Sequence, residues 1–437
     1  MHRFVAVIFL LLALLAGCAQ LPSLADRSAS AAMPDTGQTR LGKAIVPSVQ
    51  LHPGKSGIAP LTDGRDAFAA RALLADAAER TLDVQNYIWH DDRSGVLLFE
   101  ALHRAADRGV RVRLLLDDNN TAGLDPILAA LDAHPNIEVR LFNPFMNRHW
   151  RIMGYLTDFS RLNRRMHNKS FTADNQATIV GGRNIGDEYF DAGNSIEFVD
   201  LDVLAIGPVV KSVSRSFDRY WSSDSSYPVD RVLPHADPAS IDSLSASATR
   251  VAHSAASEGY MKAVARQSFV RDLLSGTLPF DWAVTRLVSD DPAKGLGNAP
   301  NRRLLPQRFN QILGEPKHDL YLVSSYFVPT QQGVDYLATL AGRGVKVTVL
   351  TNSLEATDVV AVHAGYAKWR KPLLKAGIAL FEMKAAPIES SGRRRQFIGR
   401  SSASLHAKTF SIDRSRVFIG SFNFDPRSAR LNTEMGF

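Results

Sequence analysis

The sequence predicts an α/β protein made of two related halves that share one site. Two observations carry this prediction. The first is a motif that occurs twice. His167, Lys169, Asp174, Gly181, Gly182 and Asn184 recur as His406, Lys408, Asp413, Gly420, Ser421 and Asn423. Both copies follow H-x-K-x4-D-x6-G-[GS]-x-N, with the histidines 239 residues apart. A lone His-x-Lys reads as a strand with two surface side chains; a repeat of the whole spacing, including its Gly-[Gly/Ser]-x-Asn tail, does not. The second is an alternation of apolar strands and helical patterns in each half, which argues for α/β architecture. Arg108, Gly109 and Val110 return as Arg343, Gly344 and Val345, 235 residues later, so the halves align along their length and not only at the motif.

Taken in order, Arg3 precedes an apolar run of 13 residues, Phe4 to Ala16. That run is too short to span a bilayer comfortably and has the form of a signal-peptide core. It ends in Leu15, Ala16, Gly17 and Cys18, a bacterial lipobox, so residues 1–17 read as a lipoprotein signal peptide with Cys18 as the lipidated residue. Ala19 in place of aspartate favours the periplasmic face of the outer membrane. Residues 18–63, rich in Ala, Ser, Pro and Gly, read as a tether.

The first domain is expected over 64–245. A helix covers Asp66 to Arg80, then come strand Leu82–Ile88, helix Val96–Arg108 stopped by Gly109, strand Val110–Leu115, helix Pro126–Ala133 and strand Ile137–Phe142. A helix ends near Tyr220 and Trp221, and Ser222 to Glu258 reads as a loose linker. The second domain is expected over 246–437, with Trp282–Val288 opening it and Asp290 to Gly295 as a loop at the site mouth. Strand Leu320–Ser324, helix Val334–Arg343, strand Val345–Leu350, helix Tyr366–Lys375 and strand Ile378–Met383 then repeat the first half. The sequence stops at Met435 to Phe437 inside a strand pattern, so the second domain is expected to be incomplete at its C-terminus.

Composition is that of a globular body, 45% hydrophobic and 22% charged. A single cysteine excludes a disulfide framework. The net charge of +7, or +6 without Arg3, suits lipid headgroups or nucleic acid and selects neither. Gly181 and Gly182 lack the ending of a P-loop, and no H-E-x-x-H spacing occurs; His90, Asp91 and Asp92 read as loop residues, and no metal or cofactor is expected.

The repeated residues suit phosphodiester transfer. One histidine can attack phosphorus and hold a covalent intermediate. The other can protonate the leaving oxygen and then deprotonate the incoming nucleophile. Lys169 and Lys408, with Asn184, Asn423, Gly182 and Ser421, can bind phosphoryl oxygens as charge builds. Residues i and i+2 of a strand share a face, so each His-x-Lys can reach one phosphate. Asp174 and Asp413, one strand-length on, are expected to orient a histidine, including the one from the other half.

The doubled motif resembles the phospholipase D superfamily. Leu82–Asp92, Arg113–Asn120, Gly154–Lys169, Ser324–Thr330, His363–Arg370 and Gly420–Arg427 resemble, within it, the cardiolipin synthases, class C most closely. The likeness covers roughly residues 60–437. It implies two duplicated domains about a pseudo-two-fold axis with the site at their interface. It implies a phosphatidyltransferase working through phosphohistidine, with His167 the nucleophile and His406 the acid and base, or the two exchanged. The donor it implies is phosphatidylethanolamine and the acceptor phosphatidylglycerol, in an envelope membrane and without nucleic acid. Glu434 matches an acidic position that supports a histidine in this superfamily; in the first half Asp200 and Asp202 occupy the comparable stretch, with Asp202 taken as the counterpart. The alternatives are hydrolysis of phospholipid to phosphatidic acid and, more distantly, of nucleic-acid diesters. A dead site is disfavoured because neither copy lacks a motif residue. Arg161, Arg164 and Arg165 are candidates for a second phosphate. Phe145, Met146, Trp150, Met153 and Tyr155 are candidates for membrane contact or for packing.

Overall fold

The computed structural model describes residues 21–192, 197–237, 239–254, 260, 269–384 and 403–437. The lipobox with Cys18 lies outside them, as does Arg393–Arg395, a run of three arginines that reads from sequence as a basic loop or a contact for anionic lipid. In chain order the strands are β1 (Ser56–Leu61), β2 (Thr81–Ile88), β3 (Arg111–Asn120), β4 (Ile137–Phe142), β5 (Ser170–Ala173), β6 (Ala177–Gly181), β7 (Glu197–Val199), β8 (Asp202–Ile206), β9 (Ser226–Pro228) and β10 (Asp281–Ala283). They continue as β11 (Val288–Ser289), β12 (Asp319–Ser324), β13 (Lys346–Asn352), β14 (Ala379–Met383), β15 (Ala403–Leu405), β16 (Lys408–Ile412), β17 (Arg416–Ile419) and β18 (Met435–Gly436).

The first sheet has nine strands in the order β10-β1-β8-β6-β5-β2-β3-β4-β9, the second has five in the order β14-β13-β12-β16-β17. Their centres are the same design. β2, β3 and β4 run parallel, as do β12, β13 and β14. Helices Arg93–Asp107 and Asp125–Asp132 make the crossovers in the first half, and Thr330–Gly342 makes the first crossover in the second. The turn into the second parallel strand uses Gly109 at φ 90° and Gly344 at φ 86°, a left-handed conformation that suits glycine. β5 and β16 then return antiparallel to β2 and β12. This reversal carries each motif from the C-terminal edge of the parallel strands, where the histidines stand, to the opposite edge.

The halves are joined through the backbone. β7 of the first pairs with β15 of the second and Met166 bridges to Thr433, while β11 pairs with β18 inside the second. Each sheet keeps its own apolar core, around Phe68, Leu98, Leu114 and Leu204 in the first and around Phe327, Leu337, Val349 and Phe418 in the second.

Four expectations need correction. The predicted tether is ordered over residues 40–61. Helix Arg40–Gln50, capped by Thr39 on the Gly42 N–H, buries Leu41 and Ile45, and β1 lies inside the first sheet. Small and proline-rich composition concealed the apolar positions that fix it. Residues 239–252 of the predicted linker form a helix; Ile241, Leu244, Ala248 and Val251 recur at helical spacing and pack on the first core, masked in the sequence by serines between them. β10 also pairs with β1, so residues 281–283 belong to the first sheet and not to the opening of the second domain. Helix Tyr366–Lys375 is two helices, Val360–Ala367 and Arg370–Lys375. Pro372 has no N–H to donate and fits only a first turn, so a new helix starts two residues before it.

Candidate active site

β5 and β16 deliver the two histidines to one place, and each backbone is held by the opposite half. His167 N–H donates to Thr433 O at 2.9 Å, and His406 N–H donates to Val199 O at 2.8 Å. The side chains are held across the interface too. His167 Nδ1 faces Glu434 Oε2 at 2.8 Å and the Ser421 carbonyl at 3.1 Å. Both partners are acceptors, which assigns the proton to Nδ1 and leaves the Nε2 lone pair free. His406 Nδ1 faces Asp200 Oδ2 at 2.5 Å. Both rings are buried at their edges, His167 against Tyr87 and His406 against Tyr189 and Phe198.

Each lysine folds back onto its own histidine. Lys169 Nζ donates to His167 O at 2.8 Å and lies 5.3 Å from the centre of the Tyr87 ring; Lys408 Nζ donates to His406 O. Burial, with the two ammonium groups repelling each other, lowers Lys169 to about 7; burial lowers Lys408 to about 8. Burial and the nearby lysines push His167 well below its ordinary value, and burial with Lys408 lowers His406. Burial pushes Glu434 up to about 7. Asp200 goes the other way: burial pushes it up, but the His406 ring and Lys408 outweigh that and hold its carboxyl well below the usual range.

The glycines of the motif make room. A Cβ on Gly182 would collide with the Asp200 carboxylate, and one on Gly420 would collide with the Met435 carbonyl. Gly182 therefore admits the carboxylate that holds His406, and contact with phosphate is not needed to explain it. Ser421 donates through Oγ to Glu434 Oε2 at 2.5 Å and accepts from Met435 N–H at 3.0 Å. Asn184 is committed to the fold, accepting from Ile88 N–H at 3.3 Å and donating to Tyr189 Oη at 2.9 Å. Asn423 Oδ1 accepts from Ser325 Oγ at 2.9 Å.

Two expectations about acids are overturned. Asp174 and Asp413 do not meet the histidines. Each sits at positive φ in the turn at the far end of its strand. Asp174 accepts the N–H groups of Glu79, Arg80 and Thr81, and Asp413 those of Lys317, His318 and Asp319. They fasten the starts of β2 and β12, a role the antiparallel return of β5 and β16 dictates. The counterpart of Glu434 is Asp200, not Asp202. Asp202 is buried in β8, paired with Arg71 at 2.8 Å and accepting from Arg183 N–H.

Other candidates resolve as scaffold. Arg165 is buried against Asp117 at 2.9 Å and donates to the Phe142 and Asn143 carbonyls. Arg161 pairs with Asp158. Neither is free for a second phosphate. Asp290 is buried and accepts from Glu434 N–H, so its loop braces that strand rather than forming the mouth. Tyr87 and Tyr189 were missed. Tyr87 and Tyr326 share the 239-residue offset of the histidines, a signal available from extending the repeat alignment; Tyr189 carries no such signal.

A sequence profile described as "Cardiolipin synthase, PLD-like domain" matches residues 73–221 and 309–437. The chain is 57% identical to cardiolipin synthase C of Escherichia coli (strain K12) over 399 residues, covering 91% of this chain and 84% of that protein. It is 33% identical over 433 residues to an uncharacterized protein of Helicobacter pylori (strain ATCC 700392 / 26695), covering 98% and 85%. Among solved structures, a phosphatidylserine synthase from Haemophilus influenzae Rd KW20 aligns over 91% of this chain and 86% of its own, with a TM-score of 0.57 and 14% identity, a likeness of fold.

Proposed function

The chain belongs to the cardiolipin synthase family of phospholipase D-like proteins, and on that footing we propose that it is a phosphatidyltransferase that makes cardiolipin. The observation that carries this reading is the pair of buried lysines, lowered to about 7 and about 8, between two histidines that are each backed by a carboxylate of the opposite half. Two desolvated cations in one small space favour a bound phosphodiester over an empty site.

His167 Nε2 attacks the phosphorus of a donor phospholipid, taken as phosphatidylethanolamine. His406, supported by ionised Asp200, gives its proton to the leaving oxygen, ethanolamine departs, and phosphatidyl-His167 remains. A hydroxyl of phosphatidylglycerol then loses its proton to His406 and attacks phosphorus; the P–N bond breaks and cardiolipin is released. Lys169, Lys408 and the Asn423 amide carry the growing charge on the phosphoryl oxygens. The assignment of His167 as nucleophile is supported by its fixed Nδ1 proton and by a partner acid that burial pushes up. His406, beside an acid held low, suits the role that must carry positive charge.

The protein is placed in the bacterial envelope by lipidation of Cys18 at the periplasmic face, with the outer membrane favoured by Ala19. Among the described residues no helix is long and apolar enough to cross a membrane.

The test is a product assay in mixed micelles with labelled phosphatidylethanolamine, with and without phosphatidylglycerol, the lipids resolved by mass. Cardiolipin formed only when both lipids are present establishes the transfer and its donor. Phosphatidic acid alone makes the protein a hydrolase. Cardiolipin from phosphatidylglycerol alone overturns the donor.

A further inference from the structure

Helix Arg151–Thr157 and its flanks are built inside out. Trp150 is 68% exposed, Ile152 73%, Leu156 77% and Phe159 59%. The helix buries none of its own residues. It is held to the body by its polar side instead: Arg151 donates to the Asp118 carbonyl and to Thr121 Oγ1, and Tyr155 Oη donates to Asn119 Oδ1 at 2.7 Å. These anchors turn the apolar face away from the protein. A cluster of exposed large apolar side chains marks a contact surface rather than core.

Its position gives the occupant. Asn119 and Asn120 end β3, next to β2, whose Tyr87 packs its ring on His167 at the edge where the histidines stand. The second half brings exposed Val359 and Val360 next to Asp358, which accepts from Tyr326 Oη at 2.6 Å. Exposed Arg427 and Arg430 adjoin this margin: Arg427 donates to Asn163, and the Arg430 carbonyl accepts from Arg164, both a few residues past Phe159. Tryptophan and aliphatic side chains beside arginines match the interface of a bilayer that carries negative charge.

We propose that Trp150, Ile152, Leu156 and Phe159 form a bilayer-docking surface, which lies in the interfacial layer of a membrane containing anionic phospholipid and sets the site mouth against the headgroups. The proposal rests on the phospholipid reading of the site. Docking here lets a phosphate diester slide in between the histidines while its tails remain in lipid, without extraction of the whole molecule into water.

The experiment uses the full chain carrying Cys18→Ser, which removes its sole cysteine. Ile152→Cys is labelled with a polarity-sensitive thiol dye, and Leu51→Cys, 78% exposed at the opposite edge of the first sheet, serves as the control. Vesicles of phosphatidylethanolamine with phosphatidylglycerol are expected to shift the emission of the label at 152 to the blue and to leave the label at 51 unchanged. The double variant Ile152→Glu/Leu156→Glu is expected to lose about tenfold or more in vesicle affinity with its melting temperature unchanged. Equal response at both positions overturns the proposal. So does a shift at 152 that grows with protein concentration in the absence of vesicles, which would make the patch a contact between copies. The dye reads docking and not turnover, so the two readings fail separately: a responding label with no lipid product removes the phosphatidyltransferase, and cardiolipin made from vesicles under a silent label at 152 removes the docking surface.

Discussion

Around His167 the carboxylate is Glu434, shared with Ser421 and pushed by burial up to about 7. Around His406 it is Asp200, at 2.5 Å from Nδ1 and held low by the ring and Lys408 against the push of burial. The motif is the same in both halves, yet one histidine has a partner that is half protonated near neutral pH and the other a partner that stays ionised. A nucleophile needs its lone pair presented and gains little from a strong anion behind it. An acid that becomes imidazolium in each cycle needs that anion. On the roles proposed for His167 and His406, a duplicated fold divides two tasks between two copies through the length and setting of one acidic side chain.

The sharpest way to break this contrast is to remove each histidine in turn. His167→Ala and His406→Ala are each expected to lower turnover about 10³-fold or more. They differ with a donor carrying an activated leaving group, which needs no proton. His406→Ala should then accumulate a phosphatidyl adduct on His167, seen by mass, and His167→Ala should form none. An adduct on His406 would exchange the roles.

The partner acids come next. Asp200→Asn removes the anion behind His406 and is expected to cost about 10³–10⁴-fold in kcat, toward the loss seen when the carboxylate that orients a catalytic histidine is removed. Glu434→Gln keeps an acceptor for His167 Nδ1–H and is expected to cost about tenfold. Equal losses would mean that the two pairs do the same work.

Much of this was readable in the chain and some of it was not, for identifiable reasons. The duplication, both parallel strand sets and the convergence of His167, Lys169, His406 and Lys408 follow from spacing and apolar periodicity. The acids were harder. Asp174 and Asp413 lie within the repeat and so looked catalytic, but seven residues of strand and turn carry them to the other edge. Asp200 and Asp202 have the same sequence setting; which one meets His406 is decided by the β7–β15 pairing between the halves, a long-range contact that local pattern does not encode. The ordered residues 40–61 and the helix Ala239–Ala252 were hidden because their apolar positions are few and spaced among serine, alanine and proline.

The motif aspartates give a third test, which separates holding the fold from doing the chemistry. Asp174 is fully buried and accepts three backbone N–H groups. Asp174→Ala is expected to destabilise by about 1–3 kcal/mol, with kcat of the folded fraction preserved. Asp413→Ala, at a more exposed turn, is expected to destabilise less. Thermal unfolding paired with turnover at low temperature decides it; a folded but inactive Asp174→Ala would restore the catalytic reading.

A smaller effect concerns pH. Glu434 is raised to about 7 from an unfolded value of 4.5, so its contribution to stability is fully present below 4.5 and is lost as pH rises through 7. Lys169 is lowered to about 7 from 10.5, so its contribution is present above 10.5 and is lost as pH falls through 7. Both groups therefore weigh against the fold near neutrality, where the site must work. Glu434→Gln should melt higher than the parent at pH 8 by roughly 2–4 °C, with the gain narrowing at pH 5. A gain that is flat across this range would show that Glu434 is not the group held against its preference.

The smallest expected effect is that of chelation. Two groupings among the described residues have the spacing of metal ligands, His103 with Asp107 and His134, and His90 with Asp92 and Glu188. In the first, His134 Nδ1 accepts from Asn136 N–H at 3.1 Å, which puts the ring proton on Nε2, the atom facing Asp107 at 3.3 Å. A metal there would need that nitrogen bare. In the second, both Asp92 oxygens already accept backbone N–H groups, from Gly95 and Asp187. On the proposed function, Lys169 and Lys408 supply at the site the cationic charge that a metal would bring to a phosphodiester. Turnover in excess EDTA is therefore expected to stay within about twofold of the untreated rate. A tenfold loss restored by a divalent cation would mean that the lysines do not carry the phosphoryl charge alone, and that the asymmetry between the two histidines has another source.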